Sequence, residues 1–220
     1  MATTLITGAN RGIGLALARQ FTARGDDVIA VCRTSSDALD ATGARVEAGI
    51  DVTDEAAVAA LATKLRDVRL DLLVLNAGIL ERDSLSTLAV DAFRRQIEVN
   101  TLGPLLVVHA LRDRLADGGK VALITSRMGS MEDNTSGGYY GYRASKAALN
   151  AIGKSLSVDL APRGISVVLL HPGYVATEMV GGSGDVTPEQ AATQLIARID
   201  ALVPAQTGTF QHANGTSLPW

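Results

Sequence analysis

Short apolar segments alternate with longer segments of helical periodicity along most of the chain. Runs of valine, isoleucine and leucine are typical of buried strands, whereas apolar residues three and four positions apart indicate helices that bury one face. The predicted strands are a run that begins at Thr3 and the segments Asp27–Arg33, Arg45–Ile50, Leu70–Leu75, Lys120–Thr125, Ile165–Leu170 and Gly208–Gln211. The predicted helices cover Leu15–Arg24 and about 54–66, 91–116, 142–161 and 188–202. This order predicts a doubly wound α/β fold, in which a parallel sheet of about seven strands carries helices on both faces.

A glycine-rich turn joins the first predicted strand to the first predicted helix. The turn is Thr7–Gly14, of sequence TGANRGIG. Backbone N–H groups at the start of such a helix can receive a pyrophosphate, and the glycines allow a tight turn with close approach of the ligand. An ordinary strand-to-helix turn could also contain three glycines. The position of Thr7–Gly14 at the start of a chain of alternating strands and helices favours nucleotide binding.

Tyr142 and Lys146 are four residues apart in a predicted helix, so their side chains lie on one face. A free phenol titrates near pH ~10 and needs a nearby positive charge to act as an acid-base group at neutral pH. Lys146 can supply that charge. The same spacing is common on exposed helix faces, so the pair indicates catalysis only together with the glycine-rich turn.

Further signatures follow this turn in a fixed order. They are Asn76-Ala77-Gly78 after an apolar run, Asn100 in the sequence EVNT, Ser126 at the end of KVALITS, the Tyr142/Lys146 pair, and Pro172-Gly173 with Thr177 after the sixth strand. With TGANRGIG, they resemble the short-chain dehydrogenase/reductase family, whose members have a Rossmann-like fold. The short chain and the ending Leu-Pro-Trp are similar to C-factor-like carbonyl reductases, compact members of that family.

The resemblance implies an oxidoreductase that interconverts a carbonyl and an alcohol by hydride transfer, with aldehydes or ketones as substrates. Tyr142 would transfer the proton, and Lys146 would lower the pKa of the tyrosine. Ser126 would hydrogen-bond the substrate oxygen, and Asn100 would support a proton relay. An NADP-binding regulatory or signalling protein on the same scaffold is the alternative. The implied cofactor-binding residues are Gly8, Asn10, Arg11, Gly12, Ile13, Gly14, Arg33, Asp51, Val52, Asn76, Ala77, Gly78, Tyr142, Lys146, Pro172, Gly173, Val175 and Thr177.

Two arginines favour NADP(H) over NAD(H). The end of the second strand in this fold approaches the adenosine ribose, where a carboxylate favours NAD and a basic residue meets the 2′-phosphate of NADP. Here the sequence Val31-Cys-Arg33-Thr offers arginine and no carboxylate. Arg11 precedes Gly12, where relatives that use NADP carry a basic residue. Either arginine alone could be a solvated side chain, but together they indicate a phosphate site.

The catalytic serine could be either of two residues. Ser126 lies 16 positions before Tyr142, and Ser130 lies 12 positions before it. The spacing that is usual in the family is closer to that of Ser130. Ser126 lies at the end of a predicted strand, which fixes a side chain better than a loop does. We therefore expect Ser126 to be the catalytic serine and Asn134–Gly138 to be a small insertion.

Composition narrows the remaining possibilities. The chain has 220 residues, enough for one domain spanning 1–220 but not for a separate substrate domain, and its net charge is −3 with no basic run typical of nucleic-acid binding. The single Cys32 is consistent with a reducing compartment, and no metal-ligand spacing surrounds the histidines. No apolar stretch reaches ~20 residues. We expect a cytoplasmic protein that binds a small molecule and no membrane, and the resemblance implies a homodimer built from the helices near 91–116 and 142–161.

Overall fold

A computed structural model describes residues 1–220 and contains one seven-stranded parallel sheet. The strands lie in the order β3-β2-β1-β4-β5-β6-β7. Their bounds are Thr3–Thr7 (β1), Asp27–Val31 (β2), Arg45–Glu47 (β3), Leu70–Leu75 (β4), Leu115–Ile124 (β5), Ser166–His171 (β6) and Thr209–His212 (β7). The strand order reverses between β1 and β4, so their carboxyl ends open a crevice suited to a ligand. The predicted doubly wound sheet is confirmed.

Seven helices cover the two faces of this sheet. They are Gly12–Ala23 (α1), Asp37–Asp40 (α2), Glu55–Lys64 (α3), Val90–Ile97 (α4), Gly103–Leu111 (α5), Tyr140–Asp159 (α6) and Pro188–Ala201 (α7). Strand residues alternate between two apolar clusters of 21 buried residues each. One cluster joins the sheet to α3, α5 and α6, and the other joins it to α1, α2 and α7. None of the helices has both the length and the apolar character needed to span a membrane.

The long helix predicted at 91–116 is wrong in two respects. A π-helical turn at Glu98–Leu102 separates α4 from α5. In an α-helix the N–H of residue 104 would bond to the carbonyl of Asn100, but Pro104 has no N–H, so the regular ladder cannot continue there. The helix also ends at Leu111, because Leu115 pairs with Leu70 at the start of β5.

Smaller differences concern strand ends. β5 begins five residues before the predicted Lys120, with a register shift where Gly118 and Gly119 interrupt its pairing with β4. β3 is limited to Arg45–Glu47, since its partner β2 also ends early, at Val31. The short helix α2 was not predicted; Ser36 begins it by accepting a hydrogen bond from the N–H of Leu39.

Candidate active site

The carboxyl ends of β1, β2, β4 and β5 surround a cavity of about 640 Å³. One end of the cavity is bounded by the glycine-rich turn and the ends of β2 and β3, and the other by α6. Most of the predicted cofactor-binding residues line it: Gly8, Asn10, Arg11, Gly12, Ile13, Arg33, Asp51, Val52, Asn76, Ala77, Gly78, Tyr142, Lys146, Pro172 and Thr177. The sequence motifs, which are far apart along the chain, therefore converge on one crevice.

The glycine-rich turn forms a tight cradle, in which a side chain at two of the glycine positions would collide with neighbouring backbone atoms. A Cβ atom on Gly14 would lie 2.2 Å from the carbonyl oxygen of Gly8, and one on Gly8 would lie 2.8 Å from the Cα of Ala77. Helix α1 then begins after Arg11 without any side-chain cap. The first N–H groups of a helix have no partner within it, so those of α1 are available to a phosphate. These features fit a dinucleotide with its pyrophosphate at α1.

Asn76 stabilises the same cradle from β4. Its side-chain amide donates to the carbonyl oxygens of Thr7 and Gly8, each at 3.1 Å. The hydroxyl of Thr7 accepts from the N–H groups of Asn76 and Ala77, also at 3.1 Å. These hydrogen bonds join the glycine-rich turn after β1 to the end of β4, the two strands between which the strand order reverses.

At the other end of the cavity, Tyr142 and Lys146 lie within the first two turns of α6. Both are buried, with 8% and 5% of their surfaces exposed. The ammonium of Lys146 lies 5.8 Å from the centre of the Tyr142 ring and donates a 3.0 Å hydrogen bond to the carbonyl of Ile124. The predicted pair therefore shares one helix face, and that face lines the cavity rather than meeting solvent.

Burial sets the protonation states of this pair. It raises the pKa of the Tyr142 hydroxyl to about 12, while interaction with the Ser126 side chain acts in the opposite direction. It also lowers the pKa of the Lys146 ammonium to about 8. The tyrosine is protonated at neutral pH and the lysine is mostly charged. The expected lowering of the tyrosine pKa by Lys146 is not seen, because desolvation outweighs the interaction with Ser126.

Ser126 and Ser130 occupy different environments. Ser126 follows β5, is 7% exposed, interacts with Tyr142, and accepts a 3.1 Å hydrogen bond from the N–H of Met128. Ser130 is also buried, but its hydroxyl donates to the carbonyl of Trp220 and accepts from the N–H of Asp133, both at 3.0 Å. The two bonds fix Ser130 as part of the loop. Ser126 is the serine that the structure brings to the tyrosine.

Asn100 lies in the π-helical turn and is fully buried behind the cavity. Its side chain accepts from the N–H of Ile79 at 2.8 Å and donates to the carbonyl of the same residue at 2.9 Å. It also donates to the hydroxyl of Ser145 at 3.0 Å, and Ser145 in turn donates to the carbonyl of Tyr142. Asn100 therefore connects the loop after β4 to the turn of α6 that carries the tyrosine.

Comparisons with known proteins agree with this geometry. The family model for short chain dehydrogenases matches residues 2–188. The chain is 48% identical over 226 residues to a 1-hydroxy-2-glutathionyl-2-methyl-3-butene dehydrogenase from a Rhodococcus species, covering all of both chains. It is 40% identical over 164 residues to the C-signal protein of Myxococcus xanthus, covering 73% of this chain and 99% of that one.

This chain belongs to the short-chain dehydrogenase/reductase family. Its structure matches the carbonyl reductase Sniffer of D. melanogaster with a TM-score of 0.92 and 31% identity, over the full length of both chains. It matches an NADPH-bound carbonyl reductase from chicken fatty liver equally well, with a TM-score of 0.92 at 29% identity over 100% of this chain and 99% of the other. Its relatives thus include proteins described as dehydrogenases and as carbonyl reductases.

Some residues predicted from the short-chain dehydrogenase/reductase motifs do not line the cavity. Gly14 packs beneath the turn, and Gly173 lies beside the imidazole of His212. Val175 is buried and pairs with Val186 in an isolated β-bridge. These residues shape the backbone around the cavity instead of lining it.

Sequence reasoning missed the carboxylate that begins α6. Asp83, from the loop after β4, is 8% exposed, and its two carboxylate oxygens accept from the N–H groups of Tyr140 and Gly141. Its carbonyl accepts from the N–H of Tyr139, which has a left-handed backbone with φ 53°. This cap fixes the helix start two residues before Tyr142, and no local pattern in the sequence indicates it.

The ion pairs of Arg11 and Arg33 were also missed by sequence reasoning, which assigned both arginines to the 2′-phosphate. Arg11 forms an ion pair with Glu178 at 2.6 Å, and the guanidinium of Arg33 lies 3.8 Å from the carboxylate of Asp51. The end of β2 itself lacks a carboxylate, as the sequence indicates, but carboxylates lie beside both arginines. Asp51 follows β3, and Glu178 lies in the segment after β6.

Proposed function

We propose that this short-chain dehydrogenase/reductase is an NADP(H)-dependent carbonyl reductase, acting on aldehydes or ketones as a single domain of residues 1–220. The observation that carries the proposal is the buried Tyr142 beside Ser126 and Lys146 at the end of a cavity with an uncapped helix and a glycine cradle. A nicotinamide bound there supplies a hydride to the substrate carbon. The residues of the chain supply the proton and the orientation.

The protonation states favour reduction. Because the pKa of Tyr142 is about 12, its hydroxyl carries a proton at neutral pH and can donate it to the developing alkoxide. Ser126 can hydrogen-bond the same oxygen and stabilise its charge. Lys146, with a pKa of about 8, keeps a positive charge near the tyrosine as the proton leaves. Oxidation of an alcohol would instead require the phenolate, which burial disfavours.

Cofactor-dependent turnover tests the proposal. A panel of aldehydes, ketones and diketones is offered with NADPH and with NADH, and absorbance of the reduced nicotinamide is followed. Reduction with NADPH, at higher kcat/KM than with NADH, is expected. A folded protein that turns over no carbonyl with either cofactor would contradict the proposal.

The Rhodococcus relative favours a second substrate class. Its name describes an alcohol that carries a glutathionyl thioether, and the identity of 48% extends over the whole chain. The panel therefore includes an S-(2-hydroxyalkyl)glutathione with NADP and with NAD. Faster oxidation of this alcohol than reduction of any carbonyl would replace the reductase proposal with a dehydrogenase one.

A regulatory or signalling protein remains the alternative from another class, and the similarity to C-signal is the observation that favours it. Tyr142→Phe separates the two functions in the host cell. If the substitution abolishes both turnover and the phenotype of the gene, the enzyme explains the biology. If the phenotype survives without turnover, cofactor-bound signalling explains it.

We also propose that the protein forms a homodimer through α4, α5 and α6. Leu102 and Val158 expose 39% and 63% of their surfaces in this helical region, which a partner would cover. Light scattering at micromolar concentrations is expected to give twice the chain mass of 22.9 kDa. A mass near that of one chain at every concentration would reject the dimer.

A further inference from the structure

The two arginines at the adenosine end of the cavity differ in how firmly they are engaged. Arg33 lies 3.8 Å from Asp51, a long ion pair, and 69% of its side chain is exposed. The pKa of Asp51 is lowered mainly by a hydrogen bond from the N–H of Thr53, with a further bond from the Thr53 hydroxyl and a smaller effect of Arg33. Asp51 is thus held by Thr53, and Arg33 is free to meet another anion.

Arg11 is already bound to a carboxylate. Its guanidinium donates a 2.6 Å hydrogen bond to Glu178, which is 167 residues away in the sequence. Both side chains line the cavity, and the segments that carry them approach closely: a Cβ atom on Gly12 would lie 3.4 Å from the Cγ2 of Thr177. The ion pair therefore connects two walls of the crevice, the glycine-rich turn and the segment after β6.

We propose that Glu178 is a specificity-determining residue that competes with the 2′-phosphate of NADP for Arg11. This inference rests on the NADP(H) site proposed above. A 2′-phosphate that approaches Arg11 meets the negative charge of Glu178 and competes with it for the guanidinium, whereas NAD, with a neutral 2′-hydroxyl, does not. Glu178 thereby reduces the preference for NADP that Arg11 and Arg33 would otherwise produce.

The expected size of the effect follows from exposure. The Arg11 and Glu178 side chains are 63% and 75% exposed, and ion pairs of this kind change affinities by at most about fivefold. A buried pair would have a much larger effect. Glu178 therefore adjusts the ratio of the two affinities and does not reverse it.

Fluorescence titrations of purified protein with NADPH and NADH test the proposal without any turnover. Glu178→Gln is expected to lower the Kd for NADPH about fivefold and the Kd for NADH less than twofold. Arg11→Gln is expected to raise the Kd for NADPH up to about fivefold, and the double variant Arg11→Gln/Glu178→Gln is expected to match Arg11→Gln alone. Adenosine 2′,5′-bisphosphate and 5′-AMP repeat the comparison without the nicotinamide half.

Glu189→Gln is the matched control, because it removes the same charge from an exposed position in the first turn of α7, outside the cavity. It is expected to leave both affinities unchanged. If Glu178→Gln raised the affinities for NADPH and NADH equally, Glu178 would act on the pyrophosphate that both cofactors share, and the proposal would be overturned. An unchanged NADPH affinity in this variant would also overturn it. Protein that shows the Glu178 effect but reduces no carbonyl would reject the reductase proposal and leave this one intact.

Discussion

The two ends of the cavity are built on opposite principles. At the catalytic end, Tyr142, Lys146, Asn100 and Ser126 are all less than 9% exposed, and hydrogen bonds to backbone or neighbouring side chains hold them. At the adenosine end, Arg11 and Arg33 expose about two-thirds of their side chains and form ion pairs. Charges in water are screened and buried ones are not, so substitutions at the catalytic end should have large effects and those at the adenosine end small ones.

Tyr142→Phe should give the largest effect. It removes the proton donor while keeping the ring, and general acid catalysis contributes a factor of about 10²–10⁴, so kcat is expected to fall about a thousandfold with NADPH affinity unchanged. Steady-state kinetics and cofactor titration measure both. Tyr140→Phe serves as the control, since Tyr140 is 41% exposed, and it should retain activity. Comparable losses in the two variants would mean that Tyr142 acts by packing.

Ser126→Ala should come next. Removing one hydrogen-bond donor from a developing oxyanion costs about 10²–10³ in kcat. Ser130→Ala, which breaks the bonds to Trp220 and Asp133 instead, should keep kcat within threefold and lower the free energy of unfolding by about 1 kcal/mol. Kinetics and urea unfolding on both variants separate catalysis from loop stability. Loss of kcat in Ser130→Ala alone would exchange the two assignments.

Lys146→Met should lose most activity but stabilise the fold at pH 7. The pKa of Lys146 is about 8 in the folded protein and 10.5 unfolded, so the unfolded chain binds more protons between these values and stability rises with pH across that window. Below pH 8 the buried ammonium costs up to about 3 kcal/mol, which the methionine removes. Urea unfolding at pH 7 and pH 9.5 should show a larger gain at pH 7. An equal gain at both would contradict the lysine as its source.

Asp83→Ala tests whether the cap at the start of α6 positions Tyr142. Loss of the cap on the N–H groups of Tyr140 and Gly141 should lower the free energy of unfolding by about 1–2 kcal/mol. It should also reduce kcat, because the first turn of α6 positions the tyrosine. Asp54→Ala, which removes an exposed cap from α3, is the control for stability without an effect on kcat. Equal kcat values in the two variants would mean that the cap does not position Tyr142.

Site residues differ in whether they could be predicted from the sequence alone. The glycine turn, Asn76 and the Tyr142/Lys146 pair are recognisable because each motif is local and lies at the end of a strand or in one helix. Asp83 and Glu178 could not be found in this way, since their partners are 58 and 167 residues distant and only the fold brings them together. The helix interruption before α5 has a local signal in Pro104, but it was missed because the apolar periodicity continues through that residue.

Arg33→Gln should give the smallest effect, and it tests the difference between the two ends of the cavity most directly. An exposed guanidinium is worth at most about a fivefold change in NADPH affinity at low salt, with little change for NADH. Raising the ionic strength from about 0.01 M to 1 M shortens the screening length from about 30 Å to 3 Å, so the difference between wild type and variant should shrink toward zero. The loss of kcat in Tyr142→Phe should not change over the same range, because its cause is a missing proton donor. Cofactor titrations and kinetics along one salt series test both statements. A salt-independent Arg33 effect would mean that cofactor binding buries this arginine, and the adenosine end would then resemble the catalytic end once it is occupied.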